Sequence, residues 1–161
     1  MSHAEHIPAV DIAPEAEGDR FVVERIVADA FGPGRFVKTA ERLREGSRPI
    51  AGFVAREDGR VVGSVRLWPI TIGGTPAAFL GPIAVASAHR KGGLGARLVE
   101  ACLERAAQLG LPAVLLVGDE PYFGRFGFGR ADATLPGPAD PRRVLVKVLS
   151  GEAPSWLVLK A

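Results

Sequence analysis

The residues best placed to do chemistry lie in the stretch HRKGGLGARLVEAC, His89 to Cys102. Arg90 and Lys91 precede three glycines in four positions, Gly92, Gly93 and Gly95, and the chain then enters a helical repeat. Glycine is a poor helix former, so three of them at a helix start need another explanation. The first N–H groups of a helix have no partner within it, and the helix dipole adds partial positive charge there. Glycines remove the Cβ atoms that would hold a phosphate away from those N–H groups, and Arg90 and Lys91 add full charges. The alternative is a tight turn with close helix–sheet packing and no ligand, a need that one glycine would meet. The pattern favours a small anionic ligand. Gly92 and Gly93 would clear space for it, and Gly95 would let the helix lie close on a sheet.

Few other side chains offer chemistry. Tyr122 is the single tyrosine, a proton donor or else a packed aromatic with its hydroxyl at the surface. Asp119 and Glu120 are candidate bases, but capping a short helix before Pro121 is the stronger expectation. His89 could touch a phosphate or serve as a loop residue; His3 and His6 lie near the N-terminus. With three scattered histidines and one cysteine, no metal site is expected. Cys102 falls on the apolar side of its helix and is expected to pack in the core.

The elements that must hold these residues follow from periodicity. In the repeat over 92–109, Leu98, Val99, Cys102, Leu103, Ala106 and Leu109 share one side, and Arg97, Glu100, Glu104 and Gln108 the other. Gly110 ends that helix, and Ala113 to Val117 reads as a buried strand. A strand–helix–strand order from Ile83 to Val117 requires a right-handed crossover and parallel strands. Upstream, Ile50–Ala55 and Val61–Ile72 flank Glu57-Asp58-Gly59-Arg60, a hairpin signal. Gly73-Gly74-Thr75-Pro76 turns the chain into a third antiparallel strand, Ala77 to Ala86. Pro82 inside it is awkward, because proline lacks the ladder donor and belongs at an edge or a bulge.

A helix is expected over Asp19 to Gly32, with Asp19 as N-cap, Gly32 as stop, and Phe21, Val22 and Ile26 in its apolar pattern. A second helix is expected over Phe36 to Arg44. Downstream, PYFGRFGFGR (Pro121 to Arg130) is an aromatic turn closing on a strand, and Arg143–Leu149 and Trp156–Lys160 are final strands. The fold class is α/β (α+β), with a mixed sheet that is antiparallel early, parallel in the middle and antiparallel late.

Bulk properties narrow the function. The 161 residues, 47% hydrophobic, suit one domain over 1–161 with a real core. One cysteine allows no internal disulfide. The N-terminal segment lacks a signal-peptide pattern and no apolar run could span a membrane, so a soluble cytoplasmic protein is expected. The net charge of +2 is mild and the cations form no stripe, which argues against nucleic-acid or membrane partners.

Two phosphate-binding motifs fail. The triphosphate loop needs a Gly-Lys pair, and the chain has none. The dinucleotide fingerprint finds two glycines in Gly93-Leu94-Gly95-Ala96-Arg97-Leu98, but leucine at the third position, although Asp119 could reach a ribose. Three antiparallel strands precede this unit and only about 40 residues follow, too few for a doubly wound fold.

The stretch IAVASAHRKGGLGARLVEACLERAAQLGL resembles the acyl-CoA-binding motif of the GNAT N-acetyltransferase superfamily, R/Q-x-x-G-x-G/A. Arg90, Gly93 and Gly95 stand at its fixed positions, and Phe123 to Phe128 resembles the closing Y-x-x-x-G-F segment. The resemblance implies a centrally splayed sheet flanked by helices, with acetyl-CoA as cosubstrate. The pyrophosphate would lie on Arg90, Lys91, Gly92, Gly93, Leu94, Gly95 and Ala96. The pantetheine arm would pair with Ile83, Ala84 and Val85 beside Phe123, and the Val85 N–H would polarise the thioester carbonyl. Pro82 then reads as part of an interruption that opens backbone to the ligand. A small-molecule or peptide amine would attack the thioester directly, in a monomer or homodimer, with Phe31, Phe36, Arg66 and Trp68 towards the acceptor. One position departs from the motif: Phe123 replaces the tyrosine that protonates the thiolate. That leaves Tyr122 as a substitute general acid, unassisted departure of a thiolate whose parent pKa is about 8 to 9, or a non-catalytic acyl-CoA-binding module.

Overall fold

The computed structural model describes residues 10–31, 48–89, 93–131, 133, 135, 139–151 and 158–160. Arg90, Lys91, Gly92, the helix expected over Phe36–Arg44, His3, His6 and Trp156 lie outside the described residues.

The organising element is β3 (Arg60–Ile72), whose 13 residues are long enough to carry two strands end to end on each edge. On one edge β2 (Ala51–Glu57) pairs with its first half and β9 (Val158–Lys160) with Ile70–Ile72. On the other edge β4 (Thr75–Leu80) pairs with Leu67–Ile72, and β5 (Ala84–Val85) with Gly63 and Ser64. The expected Asp58-Gly59 hairpin joins β2 to β3, with φ of 49° and 83° at its two central residues, the left-handed pair that matches strand twist. Outside β2 lies β1 (Val10–Pro14), an antiparallel strand that hydropathy patterning did not reveal. Beyond β4 the sheet continues through β6 (Ala113–Val117), β8 (Val144–Val148) and β7 (Gly129–Arg130). Among the described residues β4 and β6 pair parallel and the other pairs are antiparallel, so the sheet is mixed as expected.

The strand expected as continuous from Ala77 to Ala86 is broken. β4 stops at Leu80, Gly81 takes a φ of 144° and is joined to Pro82 by a cis peptide, and β5 begins at Ala84. Proline has no N–H for a ladder. The Trp68 indole donates to the Gly81 carbonyl at 2.6 Å, taking an acceptor a continuing strand would use. Trp68 is therefore a buried core residue that secures the break. Among the described residues β4 pairs with β6 at Ala78↔Val114 and Phe79↔Leu115, whereas the ladder of β5 is to β3, so the sheet splays between β5 and β6.

Helices cover the two faces. α2 (Leu94–Gln108) buries Leu94, Leu98, Val99, Cys102 and Ala106 against Val65, Leu67, Ala78, Leu80, Val114 and Leu116. Leu103 is half-buried, and Leu109, beyond the last helical turn, is 42% exposed. On the opposite face α1 (Arg20–Phe31) seats Val23 and Val27 on Val54 and Ala84. The expected apolar set of α1 is thus corrected: Val23 and Val27, one turn apart, face the sheet, while Phe21 is 83% exposed. Asp19 is corrected too. A short 3-10 turn, Glu17–Asp19, precedes α1, and the Asp19 carboxylate accepts from the Ala16 N–H and pairs with Arg56 at 2.5 Å instead of capping forward.

Candidate active site

The splay and the start of α2 lie on one path through the chain, joined by β5 and the 3-10 turn Ser87–His89. The Ala86 N–H donates to the Val62 carbonyl at 2.8 Å. In an antiparallel ladder such bonds alternate, so the intervening pair Gly63↔Val85 leaves the Val85 N–H and C=O directed away from β3, towards the splay. Ala84 is buried on the α1 side, and Ile83 and Val85 are half-buried.

At the far end of the path Gly93 is the N-cap of α2, with φ 75° and ψ 11°. A side chain is strained in that left-handed conformation, yet among the described residues no atom beyond its chain neighbours lies within 4 Å of where its Cβ would be. The glycine thus combines a turn only glycine adopts cheaply with open space in front of a 15-residue helix. The N–H groups of Leu94, Gly95 and Ala96 belong to the first turn and lack helical partners. The buried Leu94 side chain anchors that turn in the core, and Ala96 is half-buried.

Gly95 differs from its expected role. A Cβ there would meet no sheet atom; it would meet the Tyr122 hydroxyl, at 3.0 Å. The aromatic turn therefore packs over the helix start. It consists of α3 (Glu120–Phe123) and a 3-10 turn, Gly124–Phe126, closed by Gly127 at φ 94° and by Lys147 Nζ donating to the Phe126 carbonyl at 2.6 Å. Tyr122 and Phe123 sit edge to face, 4.8 Å between centroids, and diverge. Tyr122 points to Gly95, its ring held under the Arg125 guanidinium at 4.2 Å. The Phe123 ring occupies the space that a Cβ on Gly118 would need, just past the end of β6. Gly118 is buried and was not anticipated; its signal in the sequence was only a glycine directly after a buried strand.

Several expected site residues are engaged elsewhere. Asp119 stands at the N-cap position of α3 but makes no capping bond; its carboxylate takes Arg143 at 2.5 Å, and Glu120 takes Arg130 at 3.1 Å. Arg66 forms a two-pronged pair with Glu15, both contacts 2.9 Å, so neither it nor Trp68 is available to an acceptor pocket. His89 is no simple loop residue: its Nε2 meets Glu57 at 2.6 Å. Cys102 is wholly buried, and burial pushes its thiol pKa well above the ordinary value, as suits a core residue.

The comparisons with known proteins agree with this geometry. Residues 22–128 match the sequence profile of the Acetyltransferase (GNAT) family. The uncharacterized N-acetyltransferase YhbS of Escherichia coli (strain K12) is 31% identical over 122 residues, covering 74% of this chain and 71% of YhbS. A crystal structure of E. coli YhbS in complex with CoA superposes with a TM-score of 0.84 at 26% identity, over 99% of this chain and 94% of that one. A GNAT family acetyltransferase from Brucella melitensis, solved with acetyl-CoA, gives 0.76 at 23% identity over 96% and 97% of the two chains, a likeness of fold. The glycine-capped helix, the splayed sheet and these matches lead to one conclusion: the chain belongs to the GNAT family of acetyltransferases.

Proposed function

We propose that the protein is an acetyl-CoA-dependent N-acetyltransferase that acetylates a primary amine, of a small molecule or a peptide, by direct attack within a ternary complex. The observation that carries this reading is the continuity of the splay beside β5 with the open, glycine-capped start of α2. Such a path suits a ligand with an amide-bearing arm at one end and phosphates at the other. The binding of CoA by the similar YhbS supports it.

In this reading Arg90, Lys91, Gly92, Gly93, Leu94, Gly95 and Ala96 hold the pyrophosphate, and Ile83, Ala84 and Val85 hold the pantetheine arm. The cosubstrate supplies an activated acyl group: the neutral amine forms the new C–N bond as the C–S bond breaks, and the amine's proton passes to solvent. The Val85 N–H steadies the carbonyl oxygen as negative charge develops on it. Phe123 excludes water beside the thioester and has no proton to give. Tyr122, the single tyrosine, returns a proton to the departing thiolate.

The test is thiol release from acetyl-CoA against a panel of amines. Turnover with at least one amine, and a product heavier by one acetyl group, is the expected result. Phe123 at the tyrosine position favours a second reading, a module that binds acyl-CoA without turnover. On that reading CoA at 100 times its Kd still stabilises the fold by about 2.7 kcal/mol, while every amine stays unmodified.

A further inference from the structure

We propose that a single rung of the sheet, Val10↔Glu57, clamps both ends of the phosphate-binding turn, with His89 and Arg97 as positioning residues that set the affinity for acetyl-CoA. This rests on the acetyl-CoA reading above and deepens it. Val10 and Glu57 are partners in the β1–β2 register. His89, the last residue before Arg90, holds Glu57 through Nε2 at 2.6 Å. Arg97, at the end of the first turn of α2, donates from Nη1 to the Val10 carbonyl at 3.1 Å. One contact thus precedes the glycines in the chain and the other follows them, and both end on the same pair of residues.

The need for such a clamp follows from the glycines themselves. They allow close approach to a phosphate, but they also give the turn more backbone freedom than any other residue type would. A turn whose N–H groups must converge on one anion binds more tightly when that freedom is removed in advance. Fixing the chain on either side does this without adding side chains at the anion. The Glu57–His89 contact is charge-assisted and half-buried, with each side chain about a quarter exposed (25% and 26%), so solvent screens it less than a surface pair.

The test compares ligands with and without phosphates. Kd is measured for CoA and pantetheine, and kcat and KM for acetyl-CoA and S-acetylpantetheine, in wild type, His89→Ala, His89→Gln, Glu57→Ala and Arg97→Ala. For His89→Ala and Glu57→Ala the Kd for CoA and the KM for acetyl-CoA should rise about tenfold, with kcat near wild type. The phosphate-free ligands should be unaffected. Arg97→Ala should show the same pattern more weakly, because its contact is exposed. His89→Gln, whose amide still donates to Glu57, should recover most of the affinity, and a His89→Ala, Glu57→Ala double variant should be no worse than either single one. Equal losses with both kinds of ligand, or no loss with CoA, would overturn the clamp. If His89→Ala does not fold, Glu57→Ala carries the same comparison. A wild-type chain that binds no CoA refutes the acetyl-CoA reading itself, whereas normal wild-type binding with unmoved variants refutes the clamp alone.

Discussion

The two ends of the candidate site are built differently. At the proposed phosphate end the described residues supply a left-handed glycine, the first N–H groups of a helix, which have no partner within it, and a buried leucine anchoring the turn. At the thioester end the backbone is arranged but the side chains are spare. Val85 faces the splay, yet the position of the expected acid holds Phe123, packed on Gly118. The one tyrosine leans the other way, to Gly95. On the proposed reading affinity would come from backbone, and acid catalysis from a single hydroxyl, that of Tyr122 beside Gly95.

Four changes probe that contrast. The largest effect is expected from Gly93→Glu, which sets a negative charge and a side chain in the open space before α2. Its Kd for CoA should rise by roughly 100-fold or more, with the circular dichroism of the folded state retained. Gly93→Ala is the control, because it carries the left-handed strain, about 1 kcal/mol, without the charge. Equal affinities for Gly93→Glu and wild type would remove the phosphate end altogether.

Gly118→Leu acts at the other end by driving a side chain into the Phe123 ring. The overpacking should cost about 2 kcal/mol in denaturant unfolding, and kcat should fall further than CoA affinity does. A loss of CoA affinity as large as that of Gly93→Glu would show that the two ends are not separable.

Tyr122→Phe decides where the tyrosine belongs. As the general acid it should lower kcat by about tenfold with the Kd for CoA unchanged; the effect is moderate because a thiolate is a good leaving group. A raised KM with intact kcat would instead assign the hydroxyl to the phosphate end, beside Gly95.

Asp19→Asn is the smallest change and lies away from both ends. The Arg56 hydrogen bond, aided by the Ala16 N–H, holds the Asp19 carboxyl below the usual carboxylate range despite burial. A lowered pKa stabilises the fold above the unfolded value of about 3.9 and loses that contribution as the pH falls through the folded value. Asp19→Asn should therefore cost about 1 kcal/mol at neutral pH and flatten the acid limb of the stability curve, leaving CoA affinity as it was. A shift in affinity would tie α1 to the ligand site.

The legibility of the fold varied with the range of the contacts involved. The Asp58-Gly59 hairpin, the buried side of α2 and the parallel β4–α2–β6 unit could be read because each depends on residues close in sequence. β1 could not, since its five residues, the last of them Pro14, carry no clear alternation and pair only because β2 presents an edge. The face of α1 was misread for a similar reason: Phe21 and Val22 are as apolar as Val23 and Val27, and the sheet beneath selects the pair that lands on Val54 and Ala84.

The glycine turn is the part of this protein written locally. Three glycines after two cations, opening an amphipathic helix, raise the expectation of an anion site by themselves, because backbone N–H groups and the freedom to expose them are properties of adjacent residues. The splay depended on contacts between residues distant in sequence. It needs Trp68 to take the Gly81 carbonyl and β3 to hold β4 and β5 end to end while β6 follows β4 alone. The same holds for the aim of Tyr122 and the hold of Glu57 on His89. Their partners lie far away in sequence, and a hydrogen bond or a packed ring exists only once those distant residues have been brought within a few ångströms.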